Sequence, residues 1–115
     1  RQCSELVTAE DLANIAAVLA NDGKKLATGE QLIPREIVKL VRALMVTCGL
    51  YNESGSFAVR VGLPAKSGVG GGMMAIVPGQ MGIATYGPAL DENGNSIVGM
   101  KMLEELSEAQ GLNLF

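Results

Sequence analysis

Lys66 and Ser67 sit in the run Gly62-Leu63-Pro64-Ala65-Lys66-Ser67-Gly68-Val69-Gly70-Gly71-Gly72, where a cation and a hydroxyl meet closely spaced glycines. Lysine offers a point charge, and serine a small donor and acceptor. Glycine lacks a Cβ, so it takes positive φ and admits a close neighbour. Such a segment suits a site where backbone N–H groups face a substrate oxygen. An anion-binding loop, or a bend entering a strand, would use the same residues. The glycines argue against a plain buried strand, which they weaken. The Gly-x-x-x-x-Gly-Lys-Ser pattern of a P-loop is missing. Ser67 makes a poor nucleophile, because Lys66, its nearest base, points to the other side of an extended chain. Tyr51, in the turn-rich stretch Tyr51-Asn52-Glu53-Ser54-Gly55, is a further side chain able to move a proton. Taken alone it reads as a half-buried turn tyrosine.

Composition narrows the chemistry. The 115 residues contain no His, which removes Ser-His-Asp and Cys-His catalysis and most zinc sites. No metal or cofactor is expected. A net charge of −3, with two Tyr, two Phe and no Trp, opposes nucleic-acid binding. No apolar run reaches the roughly 18 residues of a membrane span. Cys3 and Cys48 lack Cys-x-x-Cys spacing and read as two buried thiols, with a disulfide left open. The six Met read as core filler, and Glu104, Glu105 and Glu108 as a solvated helix face. Only 18% of residues are charged against 48% hydrophobic, where about a quarter charged is usual. That is much apolar surface for a short chain, and the first residue is Arg1. The expectation is one piece of a larger unit.

The elements that must position these residues follow from periodicity and caps. Thr8 caps a first helix with Glu10 and Asp11 in its first turn and an apolar stripe of Leu12, Ile15, Ala16 and Leu19. Asp22-Gly23 ends it, and residues 24 to 32 form a polar connection. Pro34 fits the first position of a second helix, whose buried face is Ile37, Leu40, Val41, Leu44, Met45 and Cys48, with Gly49 as its C-terminal cap. Phe57, Val59 and Val61 alternate with Ala58 and Arg60, which predicts a half-buried strand over 56–61. Residues 70–77 are apolar on both faces and read as a central strand. Pro78-Gly79 makes a type II turn, and 81–86 returns antiparallel. Ser96 caps a last helix to about Gln110, with Val98, Met102, Leu106 and Ala109 inward. The order is helix, helix, three strands, helix: an α+β arrangement in which helices cover an antiparallel sheet.

Several separated motifs together resemble the serine-dependent glutaminase family. They are Tyr51 to Ala58, Gly62 to Gly72, Val77-Pro78 and Leu90-Asp91-Glu92-Asn93-Gly94-Asn95-Ser96, with Gln2-Cys3-Ser4 and Leu19 to Gly23 upstream. The resemblance covers essentially the whole chain in order. It implies the C-terminal portion of a single domain with a fold similar to serine β-lactamases and penicillin-binding transpeptidases. It also implies hydrolysis of the side-chain amide of L-glutamine to L-glutamate and ammonia through a serine acyl-enzyme. In that family the nucleophile is the Ser of a Ser-x-x-Lys motif, and no such motif occurs here. The nucleophile and most amino-acid-binding residues would then belong to a missing N-terminal half. Two site positions carry over. Tyr51 matches the family tyrosine close to the nucleophile, and Val69 the residue whose backbone N–H joins the oxyanion hole. Lys66, Ser67 and Gly68 would support them, with Lys66 resembling the cation of the β-lactamase Lys-Thr-Gly strand. The resemblance also implies L-glutamine as the small-molecule partner, a homo-oligomer and a cytoplasmic protein. The competing readings are a non-catalytic structural or assembly fragment and a penicillin-recognising serine enzyme.

Overall fold

Thr8 starts the first helix as its sequence predicts. In the computed structural model, which describes residues 4–115, its hydroxyl accepts the Asp11 N–H at 3.1 Å. The Asp11 carboxylate accepts the Thr8 N–H at 2.8 Å. This reciprocal capping box begins α1 (Ala9–Ala20). Arg42 reaches across from the next helix to the last carbonyls of α1, donating to Leu19 and, at 3.0 Å, to Ala20. It also pairs with Asp22 at 3.1 Å. A cation thus satisfies carbonyls that a helix end leaves open.

Pro34 stands just before α2 (Arg35–Cys48) in an extended conformation, as the flanking residue instead of the first helical one. Its missing N–H is harmless at either place. The buried face of α2 differs from the expected one. Val38 and Met45 are buried, while Ile37, Leu40 and Leu44 are each about half exposed and Cys48 is an exposed free thiol. The apolar stripe is wider than the surface α2 packs against, so its outer edge stays uncovered. Cys3 lies outside the described residues.

The predicted strand over 56–61 is a helix. Ser54–Arg60 forms α3, entered through a 3₁₀ turn at Tyr51–Glu53. Ser54 and Phe57 are its buried residues and Val61, just past its end, is buried too, a three-then-four spacing, whereas Val59 is 78% exposed. The alternation Phe57, Val59, Val61 shares two of those positions, which is why period two looked adequate.

The first strand lies further along. β1 (Ala65–Ser67), β2 (Gly72–Val77) and β3 (Met81–Tyr86) form an antiparallel sheet in that order. Lys66 pairs with Met74, Ser67 with Met73 and Val77 with Met81. The β2–β3 turn is the expected one: Gly79 has φ +74, and the Gln80 N–H donates to the Val77 carbonyl at 3.0 Å. As its sequence suggests, β2 is covered on both sides. Ile76 packs with Ala16, Leu19, Ala20, Val38 and Met45. Met73, Ala75 and Val77 pack with Leu50, Phe57, Val61, Leu63, Met100 and Leu103.

α4 (Ile97–Gln110) starts at Ser96, whose hydroxyl accepts the Gly99 N–H, and stops at Gly111 with φ +64. Its inward face is Gly99, Met100, Leu103 and Ser107, with Leu106 partly buried; the predicted Val98 and Met102 are half exposed. Apolar residues occur on more than one side of α4, so periodicity alone did not orient it. The buried Ser107 is placed by donating to the Val61 carbonyl at 2.7 Å. Among the described residues no helix is long and apolar enough to cross a membrane.

Candidate active site

The end of α2 is pinned to β1, and this pinning locates Tyr51. Gly49 lies so close to β1 that a Cβ on it would sit 1.9 Å from the Ala65 carbonyl oxygen. The Ser67 N–H donates to the Gly49 carbonyl at 3.2 Å. The chain then reverses, and Tyr51 takes φ +55. A side chain in that left-handed region costs about 1–3 kcal/mol and persists only where its surroundings over-determine it. Here the Leu50 N–H donates to Ser54 Oγ at 2.9 Å, and Ser54 Oγ donates to the Tyr51 carbonyl at 2.9 Å. Lys66 Nζ stands 4.9 Å from the centre of the Tyr51 ring, a cation–π distance. The same ammonium donates to the Ser67 carbonyl.

Val69 is carried at the tip of the β1–β2 connection. The Gly68 N–H donates to the Gly72 carbonyl and the Gly71 N–H to the Gly68 carbonyl, both at 3.0 Å. Gly71 has φ +97, and a Cβ there would meet the Gly87 carbonyl at 2.5 Å, so only glycine closes this turn. Val69 is 71% exposed, and its N–H has no partner among the described residues. Gly94 stands between the two predicted positions. A Cβ on it would lie 3.7 Å from Tyr51 Cε2 and 3.8 Å from Val69 Cγ1. Tyr51 and Val69, eighteen residues apart in the chain, therefore flank one glycine on an open surface.

Ser67 faces inward instead. It is buried, and its hydroxyl donates to Asn95 Oδ1. Its hydroxyl is therefore turned away from the open surface that carries Tyr51 and Val69. The sequence did not mark Asn95, Glu53 or Asp91 as site residues, although all three fall within the motifs quoted above. The visible signal was the pattern Asp91-x-Asn93-Gly94-Asn95, in which an Asx side chain can close a turn on its own backbone. Asp91 Oδ1 accepts the N–H groups of Asn93 at 2.9 Å and Asn95 at 3.1 Å. Burial opposes ionisation of Asp91. The Asn95 N–H, a hydrogen bond with the Glu53 side chain and the N–H groups of Asn93 and Gly94 outweigh it, so the carboxyl titrates below its ordinary value.

The assembly thus presents a half-exposed tyrosine ring beneath a cation and, across Gly94, a glycine-flanked turn whose Val69 N–H has no partner among the described residues. Such groups can orient and polarise a carbonyl and relay a proton. The family model described as Glutaminase matches residues 1–115. The chain belongs to the glutaminase family. It is 61% identical over 115 residues to a glutaminase of Clostridium tetani, covering all of this chain and 38% of that protein. It is 63% identical over 107 residues to a glutaminase of Natranaerobius thermophilus, covering 93% of this chain and 34% of the relative. The glutaminase chain therefore spans little more than a third of these curated relatives. Among solved structures it resembles a Bacillus subtilis glutaminase in covalent complex with 5-oxo-L-norleucine, formed by reaction with 6-diazo-5-oxo-L-norleucine. The TM-score is 0.92 at 48% identity, over 95% of this chain and 40% of that one. A Bacillus glutaminase in 4.3 M NaCl superposes over 100% of this chain and 40% of its own, with a TM-score of 0.96 at 48% identity. The α+β arrangement is accordingly part of the β-lactamase-like fold of glutaminases.

Proposed function

We propose that this glutaminase chain is the C-terminal portion of one catalytic domain, and that the whole protein hydrolyses L-glutamine to L-glutamate and ammonia. The observation that carries the reading is the match of all 115 residues to the glutaminase family, including a 48% identical neighbour covalently bound to 5-oxo-L-norleucine. The reagent that formed that adduct places a diazomethyl ketone where glutamine has its carboxamide. A nucleophile able to attack the ketone analogue is also placed to attack the amide.

In this reading a serine from outside the 115 residues attacks the carboxamide carbon. Negative charge develops on the carbonyl oxygen, and the Val69 N–H donates to it. Losing one such donor typically costs about 2.7–4 kcal/mol of barrier height. Ammonia leaves after taking up a proton, and water then cleaves the ester to glutamate. Tyr51 moves or orients that proton, and Lys66 supplies positive charge beside it. What supports these roles is the shared position of Tyr51 and Val69 around Gly94 and the unpaired Val69 N–H. The whole protein is further read as a cytoplasmic homo-oligomer, the uncovered apolar edge of α2 favouring assembly; sedimentation of the full-length protein as a monomer would overturn the oligomer.

The test is Tyr51→Phe in the full-length protein. It keeps the ring beneath Lys66 and removes only the hydroxyl. We expect kcat for ammonia release to fall about 10²-fold or more, the usual worth of a positioned acid–base group. Val69→Pro deletes the N–H and is expected to lower kcat by about 10²–10³-fold. Parent-like rates in both would remove these residues from the site.

A further inference from the structure

We propose that Asn95 is a positioning residue that holds the Tyr51 turn and the Val69 loop at a fixed separation, an inference that rests on the glutamine-hydrolysing reading above. Asn95 is fully buried, yet its carboxamide joins three segments. Oδ1 accepts the Ser67 hydroxyl proton, two residues before Val69. Nδ2 donates to the Leu50 carbonyl at 3.1 Å and to Glu53 Oε2 at 2.5 Å. Its own backbone is closed onto Asp91, which takes the Asn95 N–H at 3.1 Å and returns its own N–H to the Asn95 carbonyl at 2.8 Å.

The Leu50 carbonyl is the informative partner. It belongs to the peptide plane that joins Leu50 to Tyr51, and the rotation of that plane about N–Cα is the φ of Tyr51. Asn95 therefore grips the plane whose orientation defines the unusual +55° value. Ser54 grips the other side of Leu50 through its N–H. A left-handed tyrosine persists only when held in this way. The carboxamide suits the task because it presents an acceptor and a two-proton donor on opposite sides. A carboxylate at this place would turn lone pairs toward the Leu50 carbonyl and Glu53, and an apolar side chain would leave the Ser67 hydroxyl and Glu53 Oε2 without this partner and the Leu50 carbonyl held, among the described residues, only by the Glu53 N–H.

Asn95→Asp in the full-length protein tests this. Kcat is expected to fall at least about tenfold with KM within about threefold, since sub-ångström misplacement acts on the chemical step. Amide hydrogen exchange should quicken in residues 50–56 and 66–72 together, with 9–20 unaffected. Adding Glu53→Gln to Asn95→Asp restores one donor–acceptor pair with its polarity reversed, and should recover part of the kcat loss. A buried asparagine with only a folding role would instead lower the melting temperature, leave kcat of the folded fraction unchanged and show no recovery. Kcat within about twofold of the parent, or exchange altered only in 91–96, overturns the proposal. If Asn95→Asp does not fold, Ser67→Ala removes the link to β1 alone. It should lower kcat about threefold or more and quicken exchange in both segments, and parent-like values in both overturn the proposal equally. If the unmutated protein releases no ammonia from glutamine, the functional reading fails, while the exchange experiment still decides whether Asn95 joins the two segments.

Discussion

A tyrosine at φ +55 marks where this chain accepts local strain to fix one side chain. The ring lies beneath Lys66, the carbonyl is tied to Ser54, and the preceding peptide is tied to Asn95. Each tie alone is worth only about 0.5–1.5 kcal/mol net, so several are needed against strain of about 1–3 kcal/mol. Asp91 belongs to the same scale. Its folded-state carboxyl titrates below the ordinary value, so its contribution to stability is present in full above that value. The contribution is lost as pH falls through the lower folded-state value. Asp91→Asn should therefore melt below the parent at neutral pH. The gap should close as pH falls below the ordinary carboxylate range, read as melting temperature against pH. A gap independent of pH would show that ionisation of Asp91 contributes nothing. The sequence marked Tyr51, Lys66 and Val69 through residue type and family motif. It did not mark Asn95, because a buried amide in a polar loop looks like any turn asparagine until its partners are known.

The elements show where periodicity sufficed and where it misled. Thr8, Ser96 and Pro78-Gly79 act through local backbone chemistry, so they were legible. The segment 54–60 was not, because seven residues hold too few turns to separate a period of two from one near 3.6. Ser54 resolves the ambiguity in the structure by taking the buried Leu50 N–H. Ser54→Ala strands that N–H and should destabilise the fold by about 1–3 kcal/mol in chemical denaturation. An effect near zero would mean that this hydrogen bond contributes nothing to the turn into α3. Contact between α1 and β3 depends equally on one residue. A Cβ at Gly82 would lie 2.2 Å from the Ala17 nitrogen and 2.6 Å from the Ala13 oxygen, both backbone atoms that cannot swing aside. Gly82→Ala should cost about 1–3 kcal/mol by forcing α1 from the sheet, on the same denaturation measurement.

The whole molecule has a well-covered sheet and a poorly covered rim. Ile37, Leu40 and Leu44 form a half-exposed stripe along α2, and Leu6 is 99% exposed. This is the surface expected of a chain that spans 38% of the relative it matches. The 115-residue chain purified alone should release no ammonia from glutamine, because no Ser-x-x-Lys pair lies within it. Measurable turnover would place the nucleophile inside these residues and overturn the mechanism. The sequence by itself determined the α+β class, the helix-start caps at Thr8 and Ser96, the two-sided central strand, the exclusion of histidine chemistry and the glutaminase family. All of these depend on residue type, short spacing or motifs that survive without coordinates. Only the tertiary structure decided which stripes of α2 and α4 face inward, since those helices carry apolar residues on more than one side and burial depends on their neighbours. It alone set Tyr51 and Val69 around Gly94 and placed Asn95 between them. Contacts between residues eighteen to forty-five positions apart arise from packing, and no local pattern encodes them.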